Sequence, residues 1–182
     1  MRRIAIRTFL GTLVILAVTG QAALAGNVHL KPPNKNPSFT DMGVVLNAQG
    51  ALAGLGNGDI LISLTAQADV TATCSNKGQH QAPGQNPAPI TVTGSQAIPE
   101  GEIKNGNVSF NVSTNPPVSP IAGAPDCPNP NWTEDITDLA FTSATITVEQ
   151  PVGTVVLTVM CTFTPATSDG GVPSGNVSCT VS

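Results

Sequence analysis

From Ile60 to Cys74 the even positions read Ile, Ile, Leu, Ala, Ala, Val, Ala, Cys, while the odd ones are mainly Ser, Thr, Gln and Asp, with Leu61 the exception. Successive side chains of a strand point to opposite sides, so a period of two sustained over this length indicates an extended strand with one buried face. It is long against the usual ~5–6 residues. A bend or bulge that preserves the overall phase is therefore expected within it.

The preceding residues Val44, Leu46, Ala48, Gly50 and Leu52 alternate in the same phase and lead into the segment GLGNGD. A loop of Gly56, Asn57 and Gly58 sets Leu52 opposite Ile62, Leu46 opposite Ala68 and Val44 opposite Val70, so a hairpin is expected here. A tighter Asn57-Gly58 turn would press Asn47 and Gln49 against Ala68 and Ala66, burying two amides. These glycines lead into a strand and provide no helix N-terminus for phosphate.

Shorter alternating runs follow at Ile90 to Thr93 and at Val108, Phe110 and Val112. Ala144, Ile146 and Val148 precede a turn at Gln150 to Gly153 with Pro151 second. That turn is expected to pair Val148 with Val155 and Ile146 with Leu157. Turning back around Gly170 sets Cys161 opposite Cys179, Phe163 opposite Val177 and Val159 opposite Val181. No helical periodicity longer than a turn interrupts this pattern. The expected fold is all-β: an antiparallel β-sandwich of about seven to nine strands, immunoglobulin-like and disulfide-stabilised.

The ends bound the location. Arg2, Arg3 and Arg7 precede an apolar run from Phe9 to Val18 and the small residues Ala23 to Ala25. This is the pattern of a signal peptide over residues 1–25, and the apolar run is well short of the ~20 residues that span a bilayer. Residues 26–42 read as an extended N-terminal segment and 43–182 as a single sandwich domain. The expected location is secreted, extracellular, with no membrane association after cleavage. Cleavage removes all three arginines and leaves four lysines against eleven acids, a formal charge of −7. Such a chain lacks the cations that neutralise nucleic-acid phosphates.

Four cysteines in an exported chain suggest two disulfides. The strand register favours Cys161 with Cys179, leaving Cys74 for Cys127. An intersheet Cys74–Cys161 bond is the alternative. Zinc is disfavoured, because there is no Cys-x-x-Cys pair and the histidines are only His29 and His80. If each strand crosses the domain once, the connections 76–89, 114–135 and 165–175 share one end, which carries the longest proline-rich loops. Long loops on a rigid scaffold are where binding usually resides.

At that end stand His80, Trp132 and the acids Asp126, Glu134, Asp135 and Asp138. His80 reads as a solvated loop residue that ligand could reach. Trp132 is either an exposed ligand-binding platform or, preferred on the scarcity of aromatics, a plug on the core. The four acids are oxygen donors suited to calcium, although their spacing follows no calcium-loop pattern. No catalytic residues and no required cofactor can be assigned. The blocks ATCSNKGQHQAPGQNPAPITVTGSQ and CPNPNWTEDITDLAFTSATITVEQ resemble small secreted β-rich proteins of bacteria, of actinobacterial type, whose function is uncharacterised. That resemblance implies a secreted β domain and transfers no activity. The expected role is non-enzymatic binding or structure, with a protein or cell-envelope partner. The alternative is an extracellular enzyme or calcium-dependent module acting at the loop end.

Overall fold

The structure is a computed structural model that describes residues 27–32, 36–85 and 87–182; the leader read at residues 1–25 lies outside them. The described strands are β1 (His29–Leu30), β2 (Ser38–Asp41), β3 (Leu46–Ala53), β4 (Ile60–Ser75), β5 (Gln81–Pro83), β6 (Ile90–Ile98), β7 (Val108–Ser113), β8 (Thr133–Glu149), β9 (Val155–Phe163), β10 (Gly170–Gly171) and β11 (Val177–Val181). All pairings are antiparallel and form two sheets. In the first, β3 lies between β7 on one side and β1 and β2 on the other, with β10 beyond β2. The second runs β11-β9-β8-β4, and both β5 and β6 pair with the free side of β4. This is a disulfide-stabilised β-sandwich. The described part of the 26–42 segment supplies β1 and β2, with Val28, Leu30 and Phe39 buried.

The core lies between the sheets, where the period-two pattern places it. Leu46, Ala48 and Leu52 of β3 are buried in one cluster with Ile60, Ile62 and Leu64 of β4. The expected β3–β4 hairpin does not form, because these strands belong to different sheets. Apolar side chains can meet as cross-strand neighbours or face each other across a sandwich, and alternation is satisfied equally by both. Instead β4 takes β8 and β6 as neighbours. The Gly54 to Asp59 segment crosses between the sheets, with φ of +79° at Gly54 and +111° at Gly58. Gln150, which is buried, holds this crossing: its side chain accepts from Gly56 N at 2.8 Å and donates to Gly56 O at 2.9 Å and Gly58 O at 3.0 Å.

The expected irregularity in the long strand lies in its partner. Along β4 the pairing with β8 shifts between Gln67 and Ala68 and again between Thr71 and Ala72, leaving Thr142 and Thr137 of β8 without opposite residues. Each bulged threonine donates its hydroxyl to β4 beside the shift, Thr142 Oγ1 to Gln67 O at 3.3 Å and Thr137 Oγ1 to Thr71 O at 3.2 Å. The inward phase of β8 changes accordingly, from Glu134 to Leu139 and Phe141, then to Ala144, Ile146 and Val148. An extra residue reverses which face the following side chains occupy.

The β8–β9 register also differs from expectation, matching Val148 with Leu157 and Ile146 with Val159. A shift of two residues keeps every side chain on its face, so the apolar pattern could not discriminate. The turn closes on the wider pair Gln150 N to Thr154 O, 2.8 Å, and a bulge between Val148 and Glu149 absorbs the rest. By contrast β9 and β11 pair as expected, with Cys161 opposite Cys179, Phe163 opposite Val177 and Val159 opposite Val181.

Only the lower part of the β4–β8 pair is flanked on both sides, by β6 along Ile60 to Ala68 and by β9 along Ser143 to Glu149. Above it, β4 and β8 continue as a ribbon joined by β5. The ribbon buries Ala72, Cys74 and Ala124, which stand apart from the main core. A Cys74–Cys127 disulfide, with Cα atoms 5.7 Å apart, ties the long 114–132 connection over it. The two disulfides bridge sequence separations of 53 and 18 residues. In the chain-entropy description these contribute about 4 and about 3 kcal/mol. The Cys74–Cys161 alternative is excluded by this pairing, and no cysteine is free.

Candidate functional site

The far end of the ribbon is built from two turns whose shapes follow from their asparagines. In Asn76-Lys77-Gly78-Gln79-His80 the Asn76 carboxamide oxygen accepts from Gly78 N at 2.8 Å and His80 N at 3.1 Å. In Asn129-Pro130-Asn131-Trp132 the Asn129 side-chain oxygen accepts from Asn131 N at 3.0 Å, and its carbonyl accepts from Trp132 N at 3.1 Å. Asparagine forms such local rings because its side chain imitates a backbone carbonyl. The disulfide below and a Gln85 N to Asp126 O bond of 2.9 Å hold the two segments together.

Between these turns lies a concavity of about 440 Å³ lined by Asn76, Lys77, Gly78, Asn129, Asn131 and Trp132. Trp132 is half-buried and lies outside the core cluster, so it is not the expected plug. The core closes instead with aliphatic residues and four phenylalanines, Phe39 meeting Phe163 edge to face at 5.0 Å between ring centres. The indole thus forms one wall of a surface recess whose remaining lining is carboxamides, an ammonium group and glycine backbone. Its chemistry is stacking or apolar contact on one side and multiple hydrogen bonds on the other. His80 is exposed and follows in the same turn, outside the recess lining.

The four acids do not share a site. Glu134 points inward and is fully buried; its Oε2 accepts from Asp126 N at 3.3 Å, and Oε1 has no partner. Asp135, on the opposite face of the strand, accepts from Ser119 Oγ at 3.5 Å. Asp138 lies at the base of the ribbon beside Gly43, where a methyl group would meet its Oδ1 at 3.9 Å and Asp169 Oδ1 at 3.7 Å. Among the described residues no three of His, Cys, Asp or Glu are grouped to hold a metal ion. The alternating directions of a strand separate Glu134 from Asp135, and the Thr137 bulge redirects Asp138.

Near Gly43 a second polar cluster carries a structural load. Asp41 is buried, accepting from Gly43 N at 3.0 Å and from the Thr167 hydroxyl, while Thr167 Oγ1 accepts from Phe141 N at 2.9 Å. Burial raises the Asp41 pKa above its ordinary 3.8; the Thr167 and Gly43 hydrogen bonds oppose this, and Asp138 and Asp169 add to it. Residues 164–171 therefore cross to the first sheet, Thr167 N bonding Phe141 O and Gly170 pairing with Asp41. This third connection does not join the other two at the ribbon tip.

Sequence reasoning brought Trp132 and His80 to one end but missed Asn76, Lys77, Asn129 and Asn131. The available signal was the turn chemistry of SNKG and NPNW, where asparagine stands before or near glycine or proline. Fold and tip together define a class: a disulfide-stabilised β-sandwich that extends a tethered ribbon ending in a recess with one aromatic wall. No family model matches the chain, and no curated protein or solved structure matches it.

Proposed function

We propose that this is a secreted bacterial protein of immunoglobulin-like architecture that binds a partner non-enzymatically through the ribbon tip. The observation that carries the reading is the placement of Trp132, half-exposed at the disulfide-tethered ribbon tip among Asn76, Asn129, Asn131 and Lys77. A large aromatic flanked by hydrogen-bonding groups is a characteristic anchor of recognition surfaces. The disulfide and asparagine turns order the tip before binding, which lowers the entropy lost on association. The chemistry fits an uncharged envelope component rich in hydroxyls and amides, with a ring face or apolar edge to cover the indole.

Export is supported by the leader pattern of residues 1–25 and by two disulfides, which persist in oxidising compartments. Among the described residues no helix is long and apolar enough to cross a membrane. The immunoglobulin-like assignment draws on two face-to-face antiparallel sheets in which seven strands have five or more residues. A calcium-dependent or enzymatic role at this end draws no comparable support, since its acids diverge.

Trp132 is the only tryptophan, so its emission reports the tip directly. Titration with soluble peptidoglycan and glycan fragments is expected to shift that emission and reduce quenching by acrylamide. Asn131→Ala is expected to weaken the response about tenfold, equivalent to roughly 1.4 kcal/mol. Binding that survives Trp132→Ala, or an indole already shielded from acrylamide in the free protein, would defeat the proposal.

A further inference from the structure

The β9–β11 ladder leaves a specific set of backbone groups without partners. Ser182 exchanges both hydrogen bonds with Thr158, at 2.8 and 2.9 Å, and Thr164 N donates to Asn176 O at 2.9 Å. With Thr180 opposite Met160 and Ser178 opposite Thr162, the even residues of β11 bond to β9. Bonded and non-bonded pairs alternate in an antiparallel ladder, so the odd residues direct their backbone groups outward. Cys161–Cys179 occupies such a non-bonded position, consistent with its Cα separation of 4.1 Å. Val177 N is taken by Ser174 O. The carbonyl of Val177 and both groups of Cys179 and Val181 therefore face away from the sheet, and no described strand lies beyond them.

Edge strands are usually protected by lysine, proline, a bulge or an inward charge. From Val177 to Ser182 none of these is present, and no side chain from Gly170 onward is charged. At the opposite side of this sheet β6 is engaged at Thr93, whose O accepts from Asn115 N and Nδ2 at 2.8 and 3.0 Å. The edge strand also carries one of the exposed large hydrophobic side chains, Val181, on the inward face opposite Val159.

We propose that β11 is a self-association edge that pairs antiparallel with β11 of a second copy about a twofold axis near Cys179. The strand is its own complement in this arrangement. Val177 of each copy meets Val181 of the other on the inward face, the outward backbone groups bond reciprocally, and no like charges oppose. A two-sheet monomer thereby becomes a dimer in which the β11 sheets of both copies, β4, β5, β6, β8, β9 and β11 of each, form one continuous twelve-stranded layer. A five-residue strand buries less than the ~1,200–2,000 Å² of a standard stable interface, so the dimer is weak and concentration-dependent.

Sedimentation velocity of the full chain from about 5 µM to about 1 mM is expected to show a monomer–dimer equilibrium. Exchange of the Cys179 and Val181 amides should slow as concentration rises. Val181→Lys places a charge inward at the edge and should raise the dissociation constant at least about tenfold without lowering the melting temperature. Ser168→Lys, exposed and off this strand, serves as the control that leaves association unchanged. A monomer throughout the range, a dimer indifferent to Val181→Lys, or slowed exchange at other edges would overturn the proposal.

Discussion

Replacing Gly94 with alanine tests the close joint between the sheets at β6 and β7. A Cβ on Gly94 would lie 1.9 Å from Ser113 O and 2.8 Å from both Ser113 C and Thr114 Cα. These are backbone atoms, so no side-chain rotation relieves the contact. Restoring an ordinary carbon–oxygen approach of about 3.3 Å requires the strands to part by about 1.4 Å. That movement strains the paired Asn115 bonds to Thr93 O and the buried Leu46 N to Thr114 Oγ1 bond of 3.0 Å.

Overpacking costs about 1–3 kcal/mol and each lost hydrogen bond about 1. The expected loss is about 3–5 kcal/mol, a large part of a typical stability of ~5–15. For a domain of this size the melting temperature should fall by about 10 °C. Differential scanning calorimetry of the oxidised protein measures it, with Gly101→Ala as reference because nothing lies within 4 Å of the added methyl. The reasoning fails if Gly94→Ala melts within about 2 °C of the parent while the reference does the same.

Asp41 links stability to pH. Its folded-state pKa is raised by burial, so its favourable contribution is complete below 3.8 and is lost as pH rises through the raised folded value. Urea titrations across the acid range should show this decline in the parent and not in Asp41→Asn; parallel curves would contradict the assignment. Gln150→Ala removes three hydrogen bonds that close the crossing from β3 to β4. A loss of about 2–4 kcal/mol in urea unfolding is expected. Gln150→Glu should recover little of it, since a carboxylate would face Gly56 O and Gly58 O; full recovery would show that packing rather than hydrogen bonding holds the crossing.

The sequence by itself determined which face of most strands is buried, the Cys161–Cys179 match, and the meeting of the 76–89 and 114–135 connections at one end. The first two follow from local alternation, which survives any arrangement that keeps apolar faces together; the third follows from a crossing count, which failed for the 165–175 connection because that segment crosses to the first sheet. The tertiary structure alone decided that β3 and β4 face each other across the core, because a buried face does not specify its neighbour. It also decided the two-residue slide between β8 and β9, which leaves every face unchanged, and the threonine bulges that rotate Asp138 away from Glu134. For the site, Trp132 and His80 were legible as loop residues at a shared end. The indole’s position outside the core and its asparagine surroundings were not, because they depend on how a disulfide draws a distant loop over the β4–β8 ribbon.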